Sequence, residues 1–313
     1  MTNVSHYARI PMTKKLHIII AYFLIYVVWG STYYFIGVAL NGFPTFLLGA
    51  LRFSIAGIIL LIACVIRKEK VFAPSLVQRS AISGIILLFI DMAVIMLAQR
   101  YVSSSLVAIV ASSTAIWIML LDFPKWKCNF KKPIKVAGIL LGFIGVGMLY
   151  LEQFLSTESS TIHYEYGILI LIAGCISWSI GTLYTKYKTS DIENTNEFAS
   201  SAWQMLFAGS MFWICTLLFD NLPSIDIIAI PIKAWLSLIY LITFGSLLAY
   251  SAYVWLLKVR PATEVATHAY VNPVVAVVIG TGFGNENVTT IQLLGLLIIL
   301  LSVMSITKIN NEI

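Results

Sequence analysis

Ten runs of about 20 predominantly apolar residues follow one another along this chain, and its charged residues sit almost entirely in the short gaps between them. Coiled at 1.5 Å per residue, a run of that length crosses the hydrocarbon core of a bilayer. Every backbone N–H and C=O there has to find its partner inside the protein, which leaves helices or a closed barrel. The runs are continuous and lack the two-residue alternation of a barrel strand, so they select helices. They fall near 16–38, 44–66, 79–99, 103–121, 134–151, 167–185, 199–219, 234–257, 262–283 and 289–307. The expected fold is therefore an all-α polytopic membrane protein with ten transmembrane helices. At 59% hydrophobic and 11% charged residues, a soluble domain is excluded. The polar N-terminus, Met1 to Lys15, is followed by a full-length span without a small-residue cleavage site, so that span is expected to be retained.

Basic residues set the expected orientation. Of the 20 lysines and arginines, Arg52 lies inside a span and only Arg100 and Lys233 fall on the side opposite the termini. The rest, from Arg9 to Lys308, share the side of both termini, which the positive-inside rule makes cytoplasmic. The same distribution accounts for the basic net charge of +6 without a nucleic-acid partner. Cys64, Cys128, Cys175 and Cys215 are isolated, with no CxxC pair, and suit neither a disulfide frame nor a metal site.

The chain also repeats. Leu97–Trp117 and Leu256–Ala276 show polar crossing residues, a short turn and a small-residue span in the same order, and Trp29 in span one is echoed by Trp178 in span six. The units expected are 16–151 and 167–308, each of five helices. An odd number of spans per unit turns the second over, giving an inverted repeat.

Polar groups within spans are costly in hydrocarbon and so carry information. Thr267 to Glu286 holds His268, Asn272 and Pro273 in an otherwise apolar run. Pro273 cannot donate to the carbonyl of Ala269, and a freed carbonyl at membrane depth is tolerated only against protein or a wet cavity. A helix break there marks a pathway wall. Glu264, His268 and Asn272 share a helical face at spacing four. Arg52 and Asp91 are the deepest charges. They read either as a structural ion pair or as a functional pair in which Asp91 exchanges a proton and Arg52 tunes it. Trp29, Tyr33, Gln99, Ser113, Trp178, Tyr250 and Tyr253 complete the expected cavity set with Asp91, His268 and Asn272. Gly138, Gly142, Gly145 and Gly147 in span five permit close helix contact, within the chain or between two copies as a homodimer. No GxxxxGK[ST], HExxH, GxSxG or CxxC is present, so no catalytic residue, cofactor or metal is expected.

The stretches WGSTYYFIG, FLLGALRFSIAG, CISWSIGTLY and AYVNPVVAVVIGTGFGNE resemble the EamA branch of the drug/metabolite transporter superfamily, and are most similar to its YedA/PecM-like exporters. The resemblance spans nearly the whole chain. It implies ten helices in two inverted repeats around a central cavity, and export of small metabolites, amino acids or toxic amphiphiles. Trp29, Gly30, Ser31, Arg52, Trp178, Tyr270, Asn272, Pro273 and Glu286 match its motifs. The first repeat departs from them, with Lys127 near an expected glutamate and Thr114 where proline is common; Asp91 and Gln99 stand where asparagine and glutamate are expected.

The function expected is secondary transport of a small-molecule substrate, exported across a bacterial inner membrane by alternating access with proton coupling at Asp91. Two rivals stand beside it. One is an intramembrane enzyme acting on a lipid-like substrate, with His268 and Asp91 as acid and base; the other is an accessory scaffold with no pathway of its own.

Overall fold

The computed structural model describes residues 12–99, 107, 110–156, 163–189, 196–220, 227–284 and 289–311. Arg9, Arg100 and Glu286 lie outside the described residues, as do the start of the expected fourth span and parts of the loops 152–166 and 187–197. Within those residues every regular element is helical. The long elements are α1 (Lys15–Leu40), α2 (Thr45–Ile66), α3 (Pro74–Ala98), α4 (Val110–Leu121), α5 (Pro133–Ser156), α6 (His163–Tyr184), α7 (Glu197–Phe219), α8 (Ile232–Val259), α9 (His268–Gly284) and α10 (Thr290–Asn311). Among them α1, α2, α3, α7, α8 and the segment Leu169–Thr189 are long and apolar enough to cross a membrane, and shorter apolar stretches lie in α4, α5 and α10.

Local chemistry sets the helix ends. Pro44, Pro74 and Pro231 open α2, α3 and α8, where a missing N–H costs nothing. Lys68 adopts a left-handed φ of 58° just beyond α2 and stops it. The first turn of α2 is capped from the far half of the chain, since the Leu47 N–H donates to Asp220 Oδ2 at 2.8 Å. Asp220→Ala should cost about 1 kcal/mol through the lost cap. The expected readout is a lower thermal midpoint in detergent with helical content unchanged.

Two helix pairs are stitched by glycine. Along α2 and α7, Gly49 faces Phe212, Gly57 faces Leu206 and Gly209 faces Ser54, so the two run antiparallel. Along α5 and α10, Gly138 faces Ile306, Gly142 faces Ser302 and Gly145 faces Gly295, again antiparallel. Three of the small residues of α5 are thus engaged in contact within the chain, while a Cβ on Gly147 would meet nothing within 4 Å.

The remaining contacts occur in pairs with the halves exchanged. Tyr22, Tyr26 and Gly30 of α1 meet Glu264, Thr267 and Asn272 in ascending order, a parallel pairing. Cys175 and Ser179 of α6 meet Val110 and Thr114 of α4 in the same sense. Similarly, α1 runs against α8 (Trp29 to Gly245, Ser31 to Tyr240), and α3 runs against α6 (Leu87 to Gly181, Val94 to Gly174). Helix α7 lies parallel to α3 (Ser80 to Ser200, Gly84 to Gln204) and antiparallel to α8 (Gln204 to Tyr250, Glu197 to Lys258). Followed round the bundle, these directions set α6 opposite to α1. The two halves are inverted copies.

Pro273 does not end its helix: α9 runs from His268 to Gly284 with the proline inside it. The interruption comes earlier, at Ala266–Thr267, between a single turn Ala262–Val265 and α9. There the bonds tighten to three-residue closure, from the Ala269 and Tyr270 N–H groups to Ala266 and Thr267.

Candidate functional site

Three π-helical stretches, Leu24–Val28 in α1, Gly84–Ile90 in α3 and Leu241–Tyr250 in α8, deliver three side chains to the bundle centre. Trp29 and Asp91 each follow directly on one, and Tyr250 closes the third. An extra residue per turn re-aims the helix that follows and loosens backbone carbonyls. Partners from opposite elements take those carbonyls. Trp29 Nε1 donates to Gly245 O at 3.0 Å. With its amide nitrogen turned to the α1 stretch, Asn272 donates to the carbonyls of Ile25 and Tyr26 at 2.9 and 3.0 Å and to that of His268 at 3.1 Å.

Around this centre lies a cavity of about 70 Å³, room for a few waters. Its aromatic wall contains both members of the repeated tryptophan pair. Trp29 meets Trp178 edge-on at 5.5 Å between ring centroids, and the rings of Tyr253 and His268 lie 5.0 and 5.2 Å from Trp29. The Tyr253 hydroxyl is bonded to Thr182 Oγ1 at 2.5 Å and that of Tyr250 donates to Gln204 Oε1. His268 Nδ1 donates to Val265 O at 2.9 Å, which fixes the ring against its own helix.

The charged wall is built by α2 and α3. Arg52, only 4% exposed, donates from Nε to Ser246 Oγ at 3.0 Å and sits 4.9 Å from the Phe53 ring. Gly245 makes way for it, since a Cβ there would stand 3.2 Å from Arg52 Nη2. No acceptor among the described residues reaches Nη1, nor Trp178 Nε1. Asp91 lines the same cavity, yet Arg52 and Asp91 do not form an ion pair. The two ion pairs among the described residues, Lys258–Glu197 and Arg260–Glu264, sit at one end of the bundle. A buried guanidinium with a donor to spare and a buried carboxyl group therefore face one small cavity.

Of the residues expected from sequence, Trp29, Tyr33, Arg52, Asp91, Trp178, Tyr250, His268 and Asn272 line the cavity. Tyr253 stands one layer behind, against Trp178. Gln99 and Ser113 are not part of the wall. Sequence reasoning missed Thr32, Met92 and Ile95, and it missed that α2 contributes a face. The hydroxyls of Thr114 and Ser246, on spans already recognised as polar, were the available signal. Among the described residues no group of His, Cys, Asp or Glu has the makings of a metal site.

Residues 16–151 and 165–308 each match the EamA-like transporter family. The chain belongs to that family. Its EamA relatives include the inner membrane transporter YedA of Escherichia coli, 30% identical over 290 residues, covering 92% of this chain and 89% of YedA. A probable amino-acid metabolite efflux pump of Salmonella typhimurium is 25% identical over 280 residues, covering 88% and 90%. The transporter YoaV of Bacillus subtilis is 21% identical, covering 87% and 90%. A solved crystal structure 18% identical in sequence shares the fold, with a TM-score of 0.75 over 95% of this chain and 99% of its own. This EamA protein is thus a multi-pass protein of the bacterial inner membrane, in a family of transporters and efflux pumps.

Proposed function

We propose that the chain is a secondary transporter that exports small zwitterionic amphipaths, amino acids or close relatives, by alternating access. The observation that carries this reading is the central cavity between inverted halves, where Arg52 and Asp91 are buried without pairing to each other beside the Trp29–Trp178 wall. A substrate anion suits the open guanidinium donor, a substrate ammonium suits Asp91, and an apolar side chain suits the rings. The name of the Salmonella relative points to the same class of cargo. In this reading 16–151 and 167–308 are the two units of the cycle, ten helices cross the membrane, and both termini face the cytoplasm. In this reading the chain performs no covalent chemistry: His268 and Asp91 line the pathway and are not the acid and base of a reaction on the substrate.

Everted membrane vesicles overexpressing the chain should accumulate one or more members of a panel of labelled amino acids above vesicles lacking it. No accumulation across the panel sinks the amino-acid reading. Recovery of a chemically altered compound by mass spectrometry would favour the enzyme instead.

Asp91 is the coupling residue proposed. Asp91→Asn keeps the shape and removes the exchangeable proton. Uptake by that variant is expected to be indifferent to an imposed pH gradient, while the parent responds; an equal response in both removes Asp91 from the role.

A further inference from the structure

The bundle end where α1, α5 and α9 begin and α4, α6 and α8 finish is closed by side-chain bonds between the two halves. Tyr22 OH of α1 donates to Glu264 Oε1 at 2.8 Å, and Tyr26 OH is bonded to Thr267 Oγ1 at 2.7 Å. Nearby, Tyr187 OH donates across the halves to Asp122 Oδ1 at 2.6 Å, while within the second half Lys186 Nζ donates to the carbonyls of Leu257 and Arg260, both at 2.7 Å. Glu264 is the centre of this closure. It is 3% exposed, Arg260 Nε lies 3.7 Å from Oε1, and no donor among the described residues reaches Oε2. It lies four residues before His268, a cavity-wall residue. No part of the transport reading above uses this carboxyl.

A buried carboxylate with one oxygen engaged and one idle is held by few bonds, and each depends on its charge. From α1 the facing groups are Tyr22 and Tyr26; from the end of α8, Arg260; from α5, Lys135 lies within electrostatic reach; on its own segment, Thr267 and His268 follow. An uncharged amide in its place, as in Glu264→Gln, would cancel the attraction of Arg260 and turn the charge-assisted bond from Tyr22 into a neutral one. Among the described residues nothing else in the α1–α9 seam carries a formal charge in its side-chain bonding, the Tyr26–Thr267 bond being neutral.

We propose that Glu264 is the latch of this mouth: its carboxylate draws α1 to the start of α9 and closes the path to the cavity, and loss of that charge releases them. The inference rests on the cavity being a transport pathway, but its test does not require a transported substrate. In a background with Cys64, Cys128, Cys175 and Cys215 replaced, Ala269→Cys places a thiol on the cavity wall. Its alkylation by a membrane-impermeant maleimide is followed in proteoliposomes sorted so that this mouth faces outward. At about pH 8, Glu264→Gln is expected to label about tenfold faster than the parent, the factor for loss of one charge-assisted bond. Tyr22→Phe removes the donor and leaves the charge, so it too should label faster than the parent. A Glu264→Gln variant that labels like the parent overturns the proposal. If the Glu264→Gln variant does not fold, an unchanged Tyr22→Phe rate overturns it instead. Labelling that behaves as expected in a protein that moves none of the amino acids leaves the mouth assignment standing and defeats the substrate reading.

Discussion

Arg52→Met should cut amino-acid transport by about two orders of magnitude while leaving the protein folded. The two halves of that expectation have separate causes. A guanidinium 4% exposed, with Nε held by Ser246 and Nη1 unengaged, is a cation offered to a ligand. Removing one partner of a desolvated, hydrogen-bonded charge pair costs about 2–5 kcal/mol, mostly because the other charge is left stranded. Without a bound anion, however, Arg52 is itself an isolated buried charge, and an apolar residue of similar reach relieves that cost. Flux and thermal stability should therefore move apart, with flux collapsing and the melting midpoint holding or rising. Arg52→Lys, which keeps the charge and loses the planar fork, should fall between the two. Parent-like flux in the methionine variant would show that no substrate group meets this residue.

Gly84→Ala should be the most damaging glycine-to-alanine change among the described residues. A Cβ at Gly84 would stand 2.4 Å from the carbonyl oxygen of Gln204 and 2.7 Å from its Cα, and neither atom can rotate away. Overpacking a core costs about 1–3 kcal/mol where side chains absorb it. Here backbone must move, and about 3 kcal/mol or more is expected. The displacement also reaches the cavity, because Gln204 accepts from Tyr250 and donates to Ser200, and Gly84 begins the π-helical stretch that aims Asp91. The measurement is the thermal midpoint and the monodisperse fraction in detergent, with Gly147→Ala as the neutral counterpart. Equal behaviour of the two would mean that α3 and α7 are not in close backbone contact.

Much of this architecture was legible because a bilayer punishes ambiguity. Apolar length gave the helices, and Trp29 with Trp178 gave the duplication. Polar residues inside spans gave most of the wall, since Asp91, His268 and Asn272 have few tolerable positions in hydrocarbon. What stayed hidden has equally physical reasons. A π-helical stretch in a uniformly apolar run leaves no hydropathy signature, so the re-aiming of Trp29, Asp91 and Tyr250 could not be read. Ser112, Ser113 and Thr114 are indistinguishable by depth, but each step turns about 100° about the axis, and it is Thr114 that faces the cavity. Gln99 lies two turns beyond Asp91, at the end of α3. Depth likewise set Arg52 near Asp91 without fixing azimuth, and Arg52 turns toward Ser246. Pro273 looked like a helix terminator, yet the actual interruption at Ala266–Thr267 carries neither glycine nor proline.

The glycine-stitched pairs α2–α7 and α5–α10 each take one member from each inverted copy. A clamshell riveted across both leaves in two places can rock only about the line through the rivets, and opens no further without bending its parts. Whatever motion exposes the centre has to leave those rivets as a chassis and bend or slide the rods carried between them. Labels spanning either riveted pair would then keep a constant separation through a working cycle, while labels spanning the seam between α1 and α9 would not.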